Sequence, residues 1–356
     1  MKQTPDSLSL LTELSNAHSV PGREDEVRAI FKENLSKIGN IKIDPMGNIY
    51  CERKNQDLPL IAVDCHMDEV GFMVQSITPE GFLKVLGLGG WSTLNLSAQP
   101  VVVFTKTGKI PGVFGSVPPH FLKGVDKGLP KIEDLSIDIG AASAAEVKEW
   151  GVRPGSFVCP DVQLRATHNP KRLLGKAFDN RVGCGICIES ALETKDLNLN
   201  ATFVGSVQEE GGLKGAEISS NLASPDVAII LEGTPADDTP GTKSATSQSI
   251  LGRGVQIRCY DPTHLANSKL VDWVIELAER KDIPHQIAVR RSGGTDAGAY
   301  HLSGSGIPCI VLGVPSRYIH SHQSVIDVDD YHATKALCIA ILREFNHQAL
   351  KEILPS

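Results

Sequence analysis

The sequence predicts an α/β fold: a three-layer α/β/α sandwich with a small β-barrel domain inserted into it. Three observations predict this. Towards both ends of the chain, apolar strand-like runs alternate with segments of helical period, which implies a mainly parallel sheet with helices on both faces. The run Leu60-Ile61-Ala62-Val63 is apolar at every position, as a strand covered on both faces should be. From about residue 70 to 165, short β-like runs are separated by Gly and Pro clusters with no long helical period, the texture of a small barrel. The chain therefore divides into a larger domain built from residues 1–69 and 166–356 and an insert spanning 70–165.

In chain order, the first helix is expected over 5–17. A second follows Pro21-Gly22, where Val27, Ile30, Phe31 and Leu35 recur at helical spacing. Strands are expected at Ile41–Ile49, Leu58–Asp64 and Val70–Ile77. Within the insert, Phe82–Leu86, Pro100–Thr105, Gly112–Val117 and the run at Val158 read as strands, and Ala144–Trp150 as a short helix. A helix is then expected over 181–194. Strands at Ala201–Val207, Asp226–Leu231, Val255–Tyr260 and Pro308–Gly313 alternate with helices near 213–221, 267–281 and 330–353. Leu270, Val271, Val274, Ile275, Leu277 and Ala278 give the penultimate helix a wide apolar stripe.

A length of 356 residues is enough for two domains with their own cores. Hydrophobic residues at 41% and charged residues at 22% rule out bulk disorder, collagen and coiled coil. A net charge of −7 argues against nucleic acid or an anionic membrane as the main partner. There is no apolar run long enough for a spanning helix, and the first residues carry acids where a secretory signal needs an apolar core. The eight cysteines are scattered through apolar runs, the pattern of reduced thiols, so a cytoplasmic location is expected. Cys184-Gly185-Ile186-Cys187 has the CxxC form, but no second pair or nearby histidine completes a zinc site, and it reads as helix packing. HExxH, P-loop and GxSxG motifs are absent, and Gly87-Leu88-Gly89-Gly90 does not complete a dinucleotide fingerprint.

In open α/β sheets, sites form beyond the carboxyl ends of strands. Five such ends carry acids or histidines. His66 and Asp68 share a face of an extended chain, and a carboxylate there suits the second ring nitrogen of a metal-bound imidazole. Asp179 stands before a helix, where capping is the simpler reading. Glu209 and Glu210 end the strand at Val207 and precede two glycines; Glu232 follows Leu231; His320 lies beyond the strand ending at Gly313. Singly, each reads equally as a cap, a paired group or a solvated turn. Together they form a donor set suited to Zn²⁺, Co²⁺ or Mn²⁺. The charge of two divalent ions is matched by Asp179, Glu210, Glu232 and one hydroxide, which leaves Glu209 free to act as a general base.

With these positions in place, the sequence resembles the tetrahedral (TET) and glutamyl-aminopeptidase-like dinuclear metallopeptidases, a family also called cellulase-M-like and FrvX-like. The matching motifs are His66-Met67-Asp68-Glu69-Val70-Gly71, Lys176-Ala177-Phe178-Asp179-Asn180-Arg181, Val207-Gln208-Glu209-Glu210-Gly211, Gly293-Gly294-Thr295-Asp296-Ala297 and Arg317-Tyr318-Ile319-His320-Ser321. The resemblance spans nearly the whole chain, including Asp138-Ile139-Gly140-Ala141 of the insert. It implies an α/β/α metallopeptidase sandwich whose inserted barrel serves dimerisation. It also implies that His66, Asp179, Glu210, Glu232 and His320 hold two divalent metal ions per subunit, Zn or Co, with Mn as a further option. Asp179 would bridge both ions, His66 and Glu232 would hold one, and Glu210 and His320 the other. Glu209 would be the general base for a metal-bound hydroxide, and Asp68 the partner of His66. The peptide bond after Asp179 is expected to be cis.

The implied activity is that of an aminopeptidase removing N-terminal residues from peptides. The implied assembly is a homo-oligomer, a tetrahedral dodecamer, with no nucleic-acid or membrane partner. One departure stands out. Aminopeptidases of this type usually have Asp where this chain has Glu232, and in the wider clan Glu accompanies carboxypeptidases and deacylases, so these are the alternatives on the same site. A glycoside hydrolase (endoglucanase), suggested by the cellulase name, needs two carboxylates and leaves the histidines unused. A non-catalytic assembly protein would have no need to keep every ligand. The Gly293–Ala297 loop reads equally as a wall of the substrate pocket or as a tight turn, and His322 does not match a ligand position.

Overall fold

The computed structural model describes residues 6–121, 130–242 and 246–355. Among these residues a twelve-stranded sheet forms the centre of the sandwich. Its middle is parallel: Ala201–Ser206, Ile61–His66, Val227–Pro235 and Cys309–Arg317 lie side by side in that order. Antiparallel strands flank them. The hairpin Asn40–Ile43/Ile49–Arg53 pairs on one side, and Val255–Asp261 and Ser324–Asp327 both pair with Cys309–Arg317 on the other. The expected mainly parallel sheet is thus confined to the centre, and the sheet as a whole is mixed. The hairpin and the return from Cys309–Arg317 to Ser324–Asp327 are short and need no crossover helix, whereas Val255–Asp261 and Cys309–Arg317 are joined through the helices Ser268–Arg280 and Ala297–Tyr300.

Side chains alternate between two cores. Ile61, Val63 and Cys65 pack with the helices Ser7–Asn16, Asp25–Leu35, Phe178–Glu193 and Val328–Glu344. Ala62, Ala228 and Ile230 face the opposite layer, with Ala216, Ala297 and Tyr300. Positions two residues on from these share that second face. His66 and Glu232 therefore leave neighbouring strands on the same side of the sheet, at the same carboxyl edge.

The insert closes into a barrel of Gly71–Ile77, Leu83–Leu88, Ile137–Asp138, Lys109–Phe114, Pro100–Phe104 and Phe157–Pro160. Phe72, Val74, Leu83, Val101, Val103, Phe114 and Val158 fill it as a separate core.

Three sequence expectations need correction. The strand expected over Ile41–Ile49 is a hairpin, because Asp44 accepts hydrogen bonds from Gly47 N and Asn48 N and turns the chain after Ile43. The helix expected over 330–353 is two helices, Val328–Glu344 and His347–Ile353, since Asn346 Oδ1 caps the second by accepting from Gln348 N and Ala349 N. The strands Arg165–Ala166, Arg172–Gly175 and His285–Val289 were not anticipated. The first helix runs Ser7–Asn16, and residue 5, where it was expected to begin, lies outside the described residues.

A buried ion cluster joins barrel to sandwich. The Glu69 carboxylate accepts from Lys176 Nζ, from Arg181 Nη2 at 2.9 Å and from Cys159 Sγ at 3.3 Å. Lys176 also donates to Ala17 O, and Arg181 to Leu14 O, Ser19 O and Met67 O. All three charged side chains are buried. Replacing Glu69 with Gln would leave two buried cations without a counter-charge, an expected loss on the order of 3–5 kcal/mol. The thermal unfolding midpoint of Glu69→Gln should fall clearly below wild type; an unchanged midpoint would contradict the assignment.

Candidate active site

The carboxyl edge of the parallel strands collects the residues singled out in the sequence. His66 is the last residue of Ile61–His66, and Glu232 lies towards the end of Val227–Pro235. Asp179 sits at a break in its helix, where Asp179 and Asn180 leave helical geometry and the peptide bond between them is cis. Asp179 does not cap the helix; its side chain points at the histidines. Asn180 ties this turn to the sheet by donating to Leu231 O at 2.7 Å and accepting from Gly183 N at 3.0 Å. Gly233 is required beside it, since a Cβ there would stand 2.5 Å from Phe178 O and 2.7 Å from Asp179 Cα.

Two donor groups result. His66, Glu209 and Glu232 form one, and Asp179, Glu210 and His320 the other; within each, one ligand atom per residue lies within 4.8 Å of the rest. Asp179 faces both: Oδ1 is 3.2 Å from His66 Nε2, and Oδ2 is 3.4 Å from His320 Nε2. Glu232 Oε2 is 3.6 Å and Glu209 Oε2 3.8 Å from His66 Nε2, while Glu210 Oε1 is 3.2 Å from His320 Nε2.

Asp68 is buried beside this cluster and faces His66, as its spacing suggested. Its carboxylate is 3.6 Å from His66 Nδ1, whereas its own backbone carbonyl is at 3.1 Å. The carboxylate also accepts from Glu209 N at 3.1 Å and Glu210 N at 3.0 Å. It thereby holds the backbone of both glutamates, a contact that spacing along one strand does not reveal.

The electrostatics favour cations. Among the described residues, no lysine or arginine forms an ion pair with Asp179, Glu209, Glu210 or Glu232. Burial, with repulsion from Asp179, pushes Glu232 up to about 7. Burial likewise lifts Glu209 well above the usual carboxylate range, and Glu232, Glu210 and Asp296 add to that. Burial would lower the two imidazoles, yet Glu209 and Glu232 hold His66 well above its ordinary value, and Asp179 and Glu210 raise His320 to about 11. The cluster draws positive charge to itself. Carboxylates and imidazoles in two groups of three are a donor set that fits divalent ions of the zinc, cobalt or manganese kind.

Residues outside the sequence-derived set complete the site. Gly89 and Gly90, from the barrel, lie against it: a Cβ at Gly89 would stand 2.8 Å from Glu210 Oε2, and one at Gly90 3.2 Å from His320 Nδ1. Beside the cluster opens a cavity of about 440 Å³, whose walls include Arg258, Arg290, Ser292, Gly293 and Gly294. The Gly293–Ala297 loop thus lines the cavity with its glycines. Its Asp296 turns inward, and Ser206 Oγ lies 2.7 Å from Asp296 Oδ2 and 2.9 Å from Asp64 Oδ1. Arg258, within the strand expected over Val255–Tyr260, was not singled out from the sequence. Cys184 and Cys187 are buried and free, and lie against His66 O and Val63 O as packing groups.

Residues 47–337 match the M42 glutamyl aminopeptidase family. The chain belongs to that family. It is 36% identical to the glutamyl aminopeptidase of Lactococcus lactis subsp. cremoris over 356 residues, 98% of each chain. It is 31% identical to the lysyl aminopeptidase of Pyrococcus furiosus over 342 residues, 94% of this chain and 96% of that one. Among solved structures, the TET aminopeptidase of Thaumarchaeota archaeon SCGC AB-539-E09 superposes with a TM-score of 0.94 at 35% identity, covering 98% of this chain and 99% of that one. The TET1 peptidase of Pyrococcus horikoshii, which can assemble into a tetrahedron or a large octahedral shell, superposes at 0.85 with 29% identity, covering 95% and 99%. As a member of the M42 family the chain is an enzyme, an aminopeptidase. Among its described residues no helix is long and apolar enough to cross a membrane.

The role of Gly233 in this M42 site is directly testable. Gly233→Ala forces the Asp179 turn away from the strand, and activity should fall at least about tenfold, equivalent to roughly 1.4 kcal/mol in transition-state stabilisation. The measurement is kcat/KM on aminoacyl-p-nitroanilides, with circular dichroism to establish that the variant is folded; retention of wild-type kcat/KM would refute the contact.

Proposed function

We propose that this M42 aminopeptidase works with two divalent cations, Zn²⁺ or Co²⁺ with Mn²⁺ as a further option, and prefers peptides with an acidic N-terminal residue. The observation that carries the reading is the position of Asp179, with one oxygen towards each imidazole. His66 and Glu232 would hold one ion, Glu210 and His320 the other, and Asp179 both. When bound, such a pair supplies Lewis-acid polarisation of the scissile carbonyl and acidifies water at neutral pH.

The chain's own residues do the rest. Glu209 is buried beside the cluster with its Oε2 3.8 Å from His66 Nε2, and there it would take a proton from water and return it to the leaving amine. Asp68 keeps Glu209 and Glu210 in place through their backbone N–H groups. Arg258 and Arg290 line the cavity; Arg258 pairs with Asp261 at 3.1 Å and Arg290 with Asp237 at 2.9 Å, and their remaining guanidinium donors suit a substrate carboxylate. Glu232 holds the position where related aminopeptidases usually have the shorter acid, and the open cavity beside it leaves room for the longer arm.

The assembly is read in the same way. Residues 1–69 and 166–356 form the catalytic unit and 70–165 the dimerisation unit. Leu94, Val117 and Phe121 of the insert are exposed apolar residues, which supports burial against a second copy. The homo-oligomer is a tetrahedral dodecamer acting on peptides. Eight free thiols, seven of them buried, support a reducing cytoplasmic setting.

Two experiments test this. Chelation should abolish release of p-nitroaniline, and readdition of Zn²⁺, Co²⁺ or Mn²⁺ should restore it. In the reloaded enzyme Glu209→Gln should lower kcat at least about 10³-fold, in the range expected for loss of a positioned proton-transfer group, with metal content unchanged by elemental analysis; wild-type turnover by this variant would remove Glu209 as the base. The wild-type enzyme should favour glutamyl- over lysyl-p-nitroanilide by at least about tenfold, or roughly 1.4 kcal/mol, and should not cleave N-acetylated glutamyl-p-nitroanilide. Equal rates on the first two would remove the acidic preference. Cleavage of the blocked substrate would favour the deacylase-like alternative.

A further inference from the structure

Two adjacent acids, Asp237 and Asp238, follow directly on the strand Val227–Pro235 that carries Glu232. They point to different walls of the site. Asp237 Oδ2 accepts from Arg290 Nη1 at 2.9 Å, while its Oδ1 accepts from Gln248 N and Ser249 N. Arg290 is held from a second side by Pro235 O at 3.3 Å. Asp238 takes both arms of Arg317: Nε donates to Oδ1 at 2.7 Å and Nη2 to Oδ2 at 2.6 Å, and Leu251 N donates to Oδ2 at 3.1 Å. Arg317 ends the strand Cys309–Arg317, and the chain then turns sharply, with positive φ at Tyr318 (61°) and at His320 (57°).

A histidine at positive φ is uncommon and needs support from its surroundings. The fork between Arg317 and Asp238 supplies it from the strand side, and Ser321 Oγ donates to Tyr318 O from the other. A two-pronged guanidinium–carboxylate contact fixes direction as well as distance.

We infer that Asp237 and Asp238 are positioning residues with separate duties: Asp237 aims Arg290 at the substrate side chain, and Asp238, through Arg317, aims His320 at its cation. This rests on the reading of the site given above. Because the two acids are neighbours on one short segment, substrate preference and metal-ligand geometry are set from a single piece of chain and are nevertheless separable by mutation.

The test compares Asp237→Asn with Asp238→Asn. For each, kcat and KM are measured on glutamyl- and leucyl-p-nitroanilide, and Zn²⁺ binding to the chelated protein is measured by calorimetry. Asp237→Asn should reduce the glutamyl-over-leucyl preference in kcat/KM by about tenfold, the loss of one well-aimed charged contact of roughly 1.4 kcal/mol. Asp238→Asn should lower kcat on both substrates in the same proportion and weaken one zinc equivalent by about tenfold or more, the range found when a group supporting a metal ligand is removed. If Asp238→Asn does not fold by circular dichroism, Arg317→Lys carries that arm, since lysine keeps the charge and loses the fork.

Equal shifts in preference and in zinc affinity for both variants would reduce the acids to a common structural role and overturn the inference. So would two variants indistinguishable from wild type. A wild-type enzyme that releases nothing from either substrate, while binding zinc, would instead overturn the reading of the site; the calorimetric comparison would still decide Asp238.

Discussion

The site depends on a carboxylate that takes no part in it. Glu69 lies buried between Lys176 and Arg181, and these three side chains reach Leu14, Ala17, Ser19, Met67 and Cys159. They therefore fasten the first helix, the segment after it, the end of the strand that presents His66, the start of the kinked helix that presents Asp179, and the last strand of the barrel. A buried cation is tolerable only when paired and hydrogen-bonded, and here two cations share one acid and are completed by backbone carbonyls. Main-chain acceptors of this kind do not move without unfolding their segments. His66 and Asp179 come from places more than a hundred residues apart in sequence, yet they are held in register by one salt-linked knot.

A few ångströms away the balance is reversed. Asp179, Glu209, Glu210 and Glu232 converge on His66 and His320 without a lysine or arginine ion pair among the described residues. Glu69 has a lysine and an arginine in direct contact, whereas these four face the two histidines, with Arg258 acting on Glu232 from further off. Burial and the repulsion of acids held together raise Glu209 and Glu232, and the acids draw positive charge onto His66 and His320. Asp68 adds to the rigidity from the side, because its carboxylate pulls on the N–H groups of Glu209 and Glu210 at once. Rigid scaffolding and unneutralised acids together make a site that is preorganised for cations.

Much of this was legible in the sequence, for a physical reason. Parallel strands buried on both faces are apolar along their length, so an acid or histidine at their carboxyl end stands out, and His66, Glu210, Glu232 and His320 all do. What was not legible depends on contacts between distant segments. Taken alone Asp179 reads as a cap because its neighbours begin a helix; the full donor set and the family resemblance put it among the ligands, and the turn packed on Gly233 is what aims its carboxylate at the histidines. Gly89 and Gly90 carried no signal, since their small size matters only once the barrel is laid against Glu210 and His320. The hairpin at Asp44 was legible in principle, since Asp44-Pro45-Met46-Gly47-Asn48 is a cluster of turn residues, whereas at Asn346 the helical pattern runs on and local hydrogen bonds break it.

The geometry also separates the donor clusters from the cavity wall. The donors come from the three parallel strand ends, the kinked helix and the turn at His320, all bound to one another by the sheet and by Glu69. The guanidiniums of the cavity come from elsewhere. Arg258 lies on Val255–Asp261, which pairs antiparallel with the last parallel strand, and Arg290 follows His285–Val289, which pairs only with Val255–Asp261 among the described strands. That outer edge can change its side chains without disturbing the donor clusters. The similarity of this chain to both a glutamyl and a lysyl aminopeptidase is what such an arrangement would produce. In the function proposed above, the outer strands supply the cavity guanidiniums and the inner strands the donor clusters, and the segment after Pro235 contacts Arg290 on the first side and Arg317, which leads into the His320 turn, on the second.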